Sequence, residues 1–346
     1  MTNIFFSVNI STLVQTFALA FFSFAISMVL TPLYTTLAYK YEWWKKARTK
    51  AVTGEAATVY QKLHAEKHRR NIPTMAGVIF VVSTILITLV ANLSRNETWL
   101  PLAAMSGAGL IGLVDDILNI RGFGNGIAGM RAKSKSLLLF IVAMIGGWWF
   151  FAKLDISSFH LPVVGSVHIG WLIIPLFMLV VISTANAVNI SDGLDGLAGG
   201  LAVSAFTAYA LIAAMEGRFG IAGFCLTVVG ALLSYTWFNI FPARFFMGDV
   251  GSFALGTALG VVAMLTDTVY VLPVVGFVFV VEAGSSVLQI SSKKLRAGKK
   301  IFKIAPIHHH FEASGWPETK VTMRFWIVGQ ISAVLGILVY LIGRTS

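Results

Sequence analysis

Ten runs of apolar residues, separated by short polar intervals, dominate the pattern along the chain. They cover about 13 to 38, 73 to 94, 100 to 118, 135 to 152, 169 to 186, 197 to 214, 220 to 240, 252 to 266, 271 to 292 and 323 to 343. Most approach or exceed the roughly 20 residues that an α-helix needs to cross a hydrocarbon layer of about 30 Å. Backbone polar groups in lipid must be satisfied within each segment. The pattern therefore predicts an all-α integral membrane protein with about ten transmembrane helices. Between two of the runs, Phe159 to His168 alternates around Gly165 and predicts one short outer β-hairpin. No soluble domain and no internal repeat stand out, so residues 1–346 read as one polytopic unit. The first run lacks a preceding basic region and a small-residue cleavage site, and reads as a retained span.

The polar intervals orient the chain. Ten spans put both termini on one side. With the termini outside, the inner loops are about 39 to 72, 119 to 136, 187 to 196, 241 to 251 and 293 to 324. Every Lys and Arg except Arg95, Lys153, Arg218 and Arg344 falls in them, as the positive-inside bias requires. Composition agrees with the class: 57% of residues are hydrophobic and 12% charged, against about 25% charged in soluble domains. The net charge of +11 needs no nucleic-acid partner, because loop cations facing anionic headgroups account for it. The one cysteine, Cys225, lies inside an apolar run, which excludes a disulfide framework and a cysteine metal cluster.

The acids are then informative. The stretch from Asn186 to Gly200 places Asp192 and Asp195 among carboxamides and glycines between two spans. Asp115 and Asp116 close the third span, and Asp249 lies in the interval before the eighth. All five fall on the cytoplasmic side at similar depth, which predicts a shared site. Carboxylates near hydrocarbon are costly and generally hold something. Adjacent carboxylates are relieved by a cation. Oxygen ligands without cysteine favour Mg²⁺, which completes its shell with water and substrate phosphates. Lys133 and Lys135, just before the fourth span, could face such a phosphate or simply flank the inner side of the span. His308, His309 and His310 are consecutive, and helical neighbours are turned about 100° apart. They cannot form a tridentate metal site alone, but one or two can meet a pyrophosphate or sugar. The six basic residues from Lys293 to Lys303 read as a headgroup-facing segment.

Asp115-Asp116, the stretch from Asn186 to Ala198, Phe246 to Ser252 and Ala305 to Glu312 together resemble the signature blocks of the polyprenyl-phosphate N-acetylhexosamine-1-phosphate transferases. The triple His with Gly315-Trp316-Pro317-Glu318 is similar to the bacterial phospho-N-acetylmuramoyl-pentapeptide transferases among them. The resemblance implies transfer of phospho-MurNAc-pentapeptide from UDP-MurNAc-pentapeptide to undecaprenyl phosphate, giving lipid I and UMP with Mg²⁺. It also implies a bacterial cytoplasmic (inner) membrane location, an active site on the cytoplasmic face, and a homodimer. On the same basis Asp249 is the metal ligand, Asp115 the base that activates the lipid phosphate, and Asp116 its support. An alternative two-step scheme makes an Asp the nucleophile, and both schemes stay open here. Lys133 corresponds to a phosphate-contacting lysine. Asn189, Asp192, Asp195, Asn239 and Phe246 correspond to positions lining the nucleoside and pyrophosphate pocket, with Phe246 as a stacking platform. His308, His309 and His310 fall on the sugar-phosphate side.

Some positions depart from the family pattern. Ala76 stands where Gly is expected and Asn119 where Lys is expected. The family's basic residue before Pro73 does not map onto Lys67, Arg69 or Arg70, and the loop from Arg121 to Gly129 is glycine-rich and uncharged after its first residue. Two other functions compete: a sister transferase taking a simpler UDP-N-acetylhexosamine, which the triple His opposes, and a transporter. A transporter needs charge near the middle of spans. Only Glu282 fits that demand, and it reads equally as a buried carboxylate paired with a loop cation.

Overall fold

The computed structural model describes residues 10–44, 71–122 and 129–345. The helices are α1 (Ile10–Lys40), α2 (Gly77–Ala91), α3 (Trp99–Arg121), α4 (Ala132–Ala152), α5 (Ile173–Ser191), α6 (Leu197–Met215) and α7 (Phe219–Asn239). They continue with α8 (Gly248–Leu265), α9 (Phe277–Leu295), α10 (Ile307–Glu312) and α11 (Glu318–Thr345). Among the described residues, eight helices are long and apolar enough to cross a membrane. A ninth span forms if Val269–Val275 and Phe277–Leu295, bent by 81° at their junction, count as one. The second predicted run, 73 to 94, appears as α2, which is only 15 residues long.

The architecture is built around α8, whose residues are nearly all buried. It packs against α3, α5, α2 and α6, while α7 packs against α1, α6 and α2. Glycine lets α8 approach its neighbours closely: a Cβ added at Gly112 of α3 would overlap the backbone of Asp249 and Val250. By contrast α1, α4 and α11 expose many large apolar side chains. Exposed aliphatic surface of that kind suits contact with acyl chains.

Two predicted boundaries move, and both moves shape the site. Helix α3 continues past Asp115 and Asp116 to Arg121, where Gly122 takes the left-handed conformation (φ 70°) that ends many helices. Helix α5 runs on through Asn186 to Ser191, so the polar loop shrinks to residues 192–196. The apolar periodicity ends earlier than the helix does, because α8 and the neighbouring loops supply partners for polar side chains there. Strands β1 (Ser158–Leu161) and β2 (Gly165–His168) form the predicted hairpin, antiparallel with Phe159 opposite Val167. His160 N–H donates to Asp267 Oδ1 at 2.8 Å. Asp267 follows the C-terminus of α8 and Asp249 sits at its N-terminus, so hairpin and acids occupy opposite ends of the bundle.

Candidate active site

Three helix ends meet at the acid cluster. Asp115 reaches from α3, Asp249 from the first turn of α8 and Lys135 from the first turn of α4. The Lys135 ammonium donates to Asp115 Oδ2 at 2.8 Å and to Asp249 Oδ2 at 2.5 Å, and lies 5.4 Å from the centre of the Phe253 ring. Asp115 Oδ1 accepts the Met130 N–H at 2.6 Å. One ammonium thus bridges two carboxylates that would otherwise repel each other. Asp115 is buried, whereas Asp249 and Lys135 keep some exposure. The adjacent Asp116 has a different task. It is fully buried, and its Oδ2 accepts the Val250 N–H at 3.1 Å. It thereby supplies an acceptor to the N-terminus of α8, where the helix dipole also favours a negative charge. Gly248, at φ 70°, leaves no room for a side chain beside this carboxylate.

The 192–196 loop is fastened along its backbone. Glu318 Oε1 accepts the Asp195 N–H at 2.7 Å, Thr322 Oγ1 donates to Asp195 O at 3.3 Å, and Trp326 Nε1–H donates to Gly196 O at 3.1 Å. These three residues recur every fourth position of α11 and so share one face. From the other side, Asn239 Oδ1 accepts the Gly196 N–H at 3.0 Å and its Nδ2 donates to Phe245 O at 2.8 Å. Asp195 Oδ2 accepts the Ala243 N–H at 2.9 Å. Asp195 and Asn239 are both buried. Both are expected to line the pocket; in the structure Asp195 Oδ2 and the Asn239 carboxamide hold backbone groups of the adjoining loops.

The three consecutive histidines diverge, as helix geometry requires. His308 is fully buried, with Nδ1 2.7 Å from Glu282 Oε2 and its Nε2 edge against Gly193. His309 Nδ1 lies 2.7 Å from Glu312 Oε2. Burial first, and then the neighbouring His308, push the pKa of His309 down to about 4, while Glu312 and Glu282 oppose the shift. Its imidazole is neutral at pH 7 and donates from Nδ1 to Glu312. His310 faces outward and accepts the Lys303 N–H at Nδ1, 3.1 Å away. His308, expected on the sugar-phosphate side, is placed against the 192–196 loop, which carries Asp192. Glu282, buried within α9, thus pairs with the first residue of the histidine run.

Other predicted residues divide. Asn189 donates to Ser252 Oγ at 2.8 Å, tying α5 to α8 beside Asp249. Phe246 is half-buried and keeps part of its ring exposed. Its N–H donates to Pro73 O and its carbonyl accepts from the N–H of Ala76, which is buried. Asp192, in the loop itself, is half-buried. Lys133 is exposed, and the lysine on the acids is Lys135 two residues later. In an N-terminal turn, positions two apart point to different sides, so Lys133 and Lys135 do not face the acids together. The carboxamide of Asn119 is buried one turn beyond the Asp pair, without a hydrogen-bond partner among the described residues. A group stranded in this way is costly and favours a polar ligand nearby. Lys67, Arg69, Arg70 and positions 123–128 lie outside the described residues.

Among the described residues, no three His, Cys, Asp or Glu side chains are arranged to enclose a cation. Asp115 and Asp249 together still offer hard oxygen donors, which here share the Lys135 ammonium. Such a donor set fits Mg²⁺ held by two carboxylates, water and substrate phosphate, and does not fit an all-protein cage.

Sequence comparison agrees with this arrangement. Residues 98–267, which include Asp115, Lys135, the 192–196 loop and Asp249, match Glycosyl transferase family 4. A phospho-N-acetylmuramoyl-pentapeptide-transferase of Clostridium novyi (strain NT) is 37% identical over 319 residues, 91% of this chain and 94% of that protein. One from Geobacillus kaustophilus (strain HTA426) is 36% identical over 325 residues, with the same coverage. One from Chloroflexus aurantiacus (strain ATCC 29366 / DSM 635 / J-10-fl) is 39% identical over 283 residues, 78% of this chain and 77% of that protein. On identity and coverage at this level the chain belongs to the phospho-N-acetylmuramoyl-pentapeptide-transferase family.

Proposed function

We propose that this enzyme moves phospho-MurNAc-pentapeptide from UDP-MurNAc-pentapeptide to undecaprenyl phosphate, forming lipid I and releasing UMP. The observation that carries the mechanism is the Asp115, Lys135 and Asp249 cluster at one end of the helix bundle. A water-soluble nucleotide sugar and a lipid phosphate can meet only where water touches the bilayer. The inner leaflet of the bacterial cytoplasmic membrane is that place, with both termini outside. The excess of loop cations on the same end supports this orientation.

In this reading an oxygen of the lipid phosphate attacks the β-phosphorus of the UDP sugar. The new P–O bond forms as the bond to the bridging oxygen breaks, and UMP departs. Asp115, oriented by Met130 N–H and Lys135, takes the proton from the lipid phosphate where one is present. Lys135 supplies positive charge to the phosphates as they enter. Asp249, with Asp115 beside it, would hold Mg²⁺. The ion when bound neutralises pyrophosphate charge and assists departure of UMP. Asp116 acts through α8 by fixing the helix end that carries Asp249.

The test is UMP release by purified protein in detergent with both substrates and Mg²⁺. Asp249→Asn, Asp115→Asn and Lys135→Met are each expected to lower turnover by about 100-fold or more. Omitting Mg²⁺ is expected to abolish release. Equal or faster release from UDP-N-acetylglucosamine would replace this reading with the sister transferase.

A further inference from the structure

The pair formed by Glu282 and His308 stands apart from the carboxylate cluster. Glu282 lies on α9, in the second turn after the 81° bend, and His308 opens α10. Both side chains are fully buried, 2.7 Å apart through Nδ1 and Oε2. Glu282 Oε1 is also buried, without a geometrically well-formed hydrogen bond among the described residues. A Cβ added at Gly193 would overlap His308 Nε2, so this edge of the imidazole rests on the 192–196 loop. The backbone of residues 195 and 196 is held by α11 and Asn239, as described above. The pair braces the remaining side of the loop.

An ionised group buried here without a counter-charge is strongly disfavoured, so the pair keeps zero net charge. Two proton arrangements meet that demand and use the observed bond. In one, imidazolium donates from Nδ1 to carboxylate. In the other, the carboxylic acid donates to Nδ1 of a neutral ring. Nε2 carries a hydrogen in both. The backbone N–H groups of Ile307 and His308 also approach this carboxylate, so a third arrangement, with Nδ1–H and a proton on Oε1, sets an O–H among donors and is disfavoured.

We propose that Glu282 is a positioning residue: it fixes His308 as an Nε2–H donor braced against Gly193, and so sets the 192–196 loop, with Asp192, for the nucleotide-sugar substrate. The proposal rests on the transferase reading for its consequence in turnover, but not for the state of the imidazole. His309 provides an internal contrast, because its Nδ1–H donates to Glu312 and its Nε2 is the bare nitrogen.

The experiment is ¹⁵N NMR of the full chain labelled at histidine, with the His308 signals identified by their loss in His308→Gln. UMP release is measured alongside for Glu282→Gln and Glu282→Met. The expected spectrum at pH 7.5 has His308 protonated at Nε2. The Gln amide can donate to Nδ1 in place of the acid, so this variant keeps the Nε2–H and stays within about tenfold of wild-type turnover. The Met variant matches the length but offers neither charge nor donor. It is expected to lose the fixed Nε2–H and fall by about 100-fold, the scale of a 1 Å misplacement near reacting groups. A bare Nε2 in the wild type overturns the proposal, and so does wild-type turnover in folded Glu282→Met. A wild type that releases no UMP overturns the transferase reading, and the spectrum still decides the protonation of His308.

Discussion

Asp115 and Asp116 are neighbours in sequence, yet one joins the reacting cluster and the other caps a helix. The difference follows from the turn between successive helical positions, which aims Asp115 at Lys135 and Asp116 at the start of α8. The same logic separates the histidines and makes His309 a pH-sensitive contributor to stability. Its folded pKa, near 4, lies below the ordinary value of 6.5. Between those values the unfolded chain binds the proton and the folded chain does not, so stability is full above pH 6.5 and declines as pH falls toward 4. The shift corresponds to on the order of 3 kcal/mol at most. Thermal unfolding in detergent from pH 7.5 to 4.5 is expected to show a steeper decline for wild type than for His309→Gln. Parallel declines would remove His309 from the account.

At the scale of elements, the site depends on how closely α3 approaches α8. Gly112 lies three residues before Asp115 and directly against the backbone of Asp249. A methyl group there has to push the two helix ends apart, because the atoms it meets belong to the main chain. Gly112→Ala is therefore expected to keep the apolar segments but to lower UMP release by about 100-fold, through separation of Asp115 from Asp249. Turnover equal to wild type would mean that the helices can part without moving the carboxylates. The clamp on the 192–196 loop is a second device at this scale. Glu318, Thr322 and Trp326 act together because α11 puts them on one face.

For the whole molecule, the proposed orientation has a direct consequence. The one native cysteine, Cys225, is buried, so introduced cysteines can be read against a quiet background. Ser166→Cys, in the hairpin, is expected to react with a membrane-impermeant maleimide in intact cells. Lys300→Cys, in the loop before the histidine turn, is expected to react only after permeabilisation. The reverse pattern would invert the bundle and place the acids on the wrong face for a cytoplasmic nucleotide.

The sequence by itself determined the class, the number of apolar segments, the hairpin around Gly165 and the identity of the acid-bearing motifs. Long apolar runs with few charges have one physical outcome in a bilayer, and carboxylates at their ends are conspicuous in such a background. Tertiary structure decided which polar residues work together. Lys135 rather than Lys133 meets the acids, because the register of α4 against α3 and α8 selects the side chain. Asp195 and Asn239 hold backbone, and Glu282 pairs with a histidine 26 residues away. The periodicity of α11 is dominated by its lipid-facing residues, which masks the clamp formed by Glu318, Thr322 and Trp326. Such pairings depend on distances between segments far apart in the chain, and no local pattern of hydrophobic and polar residues encodes them.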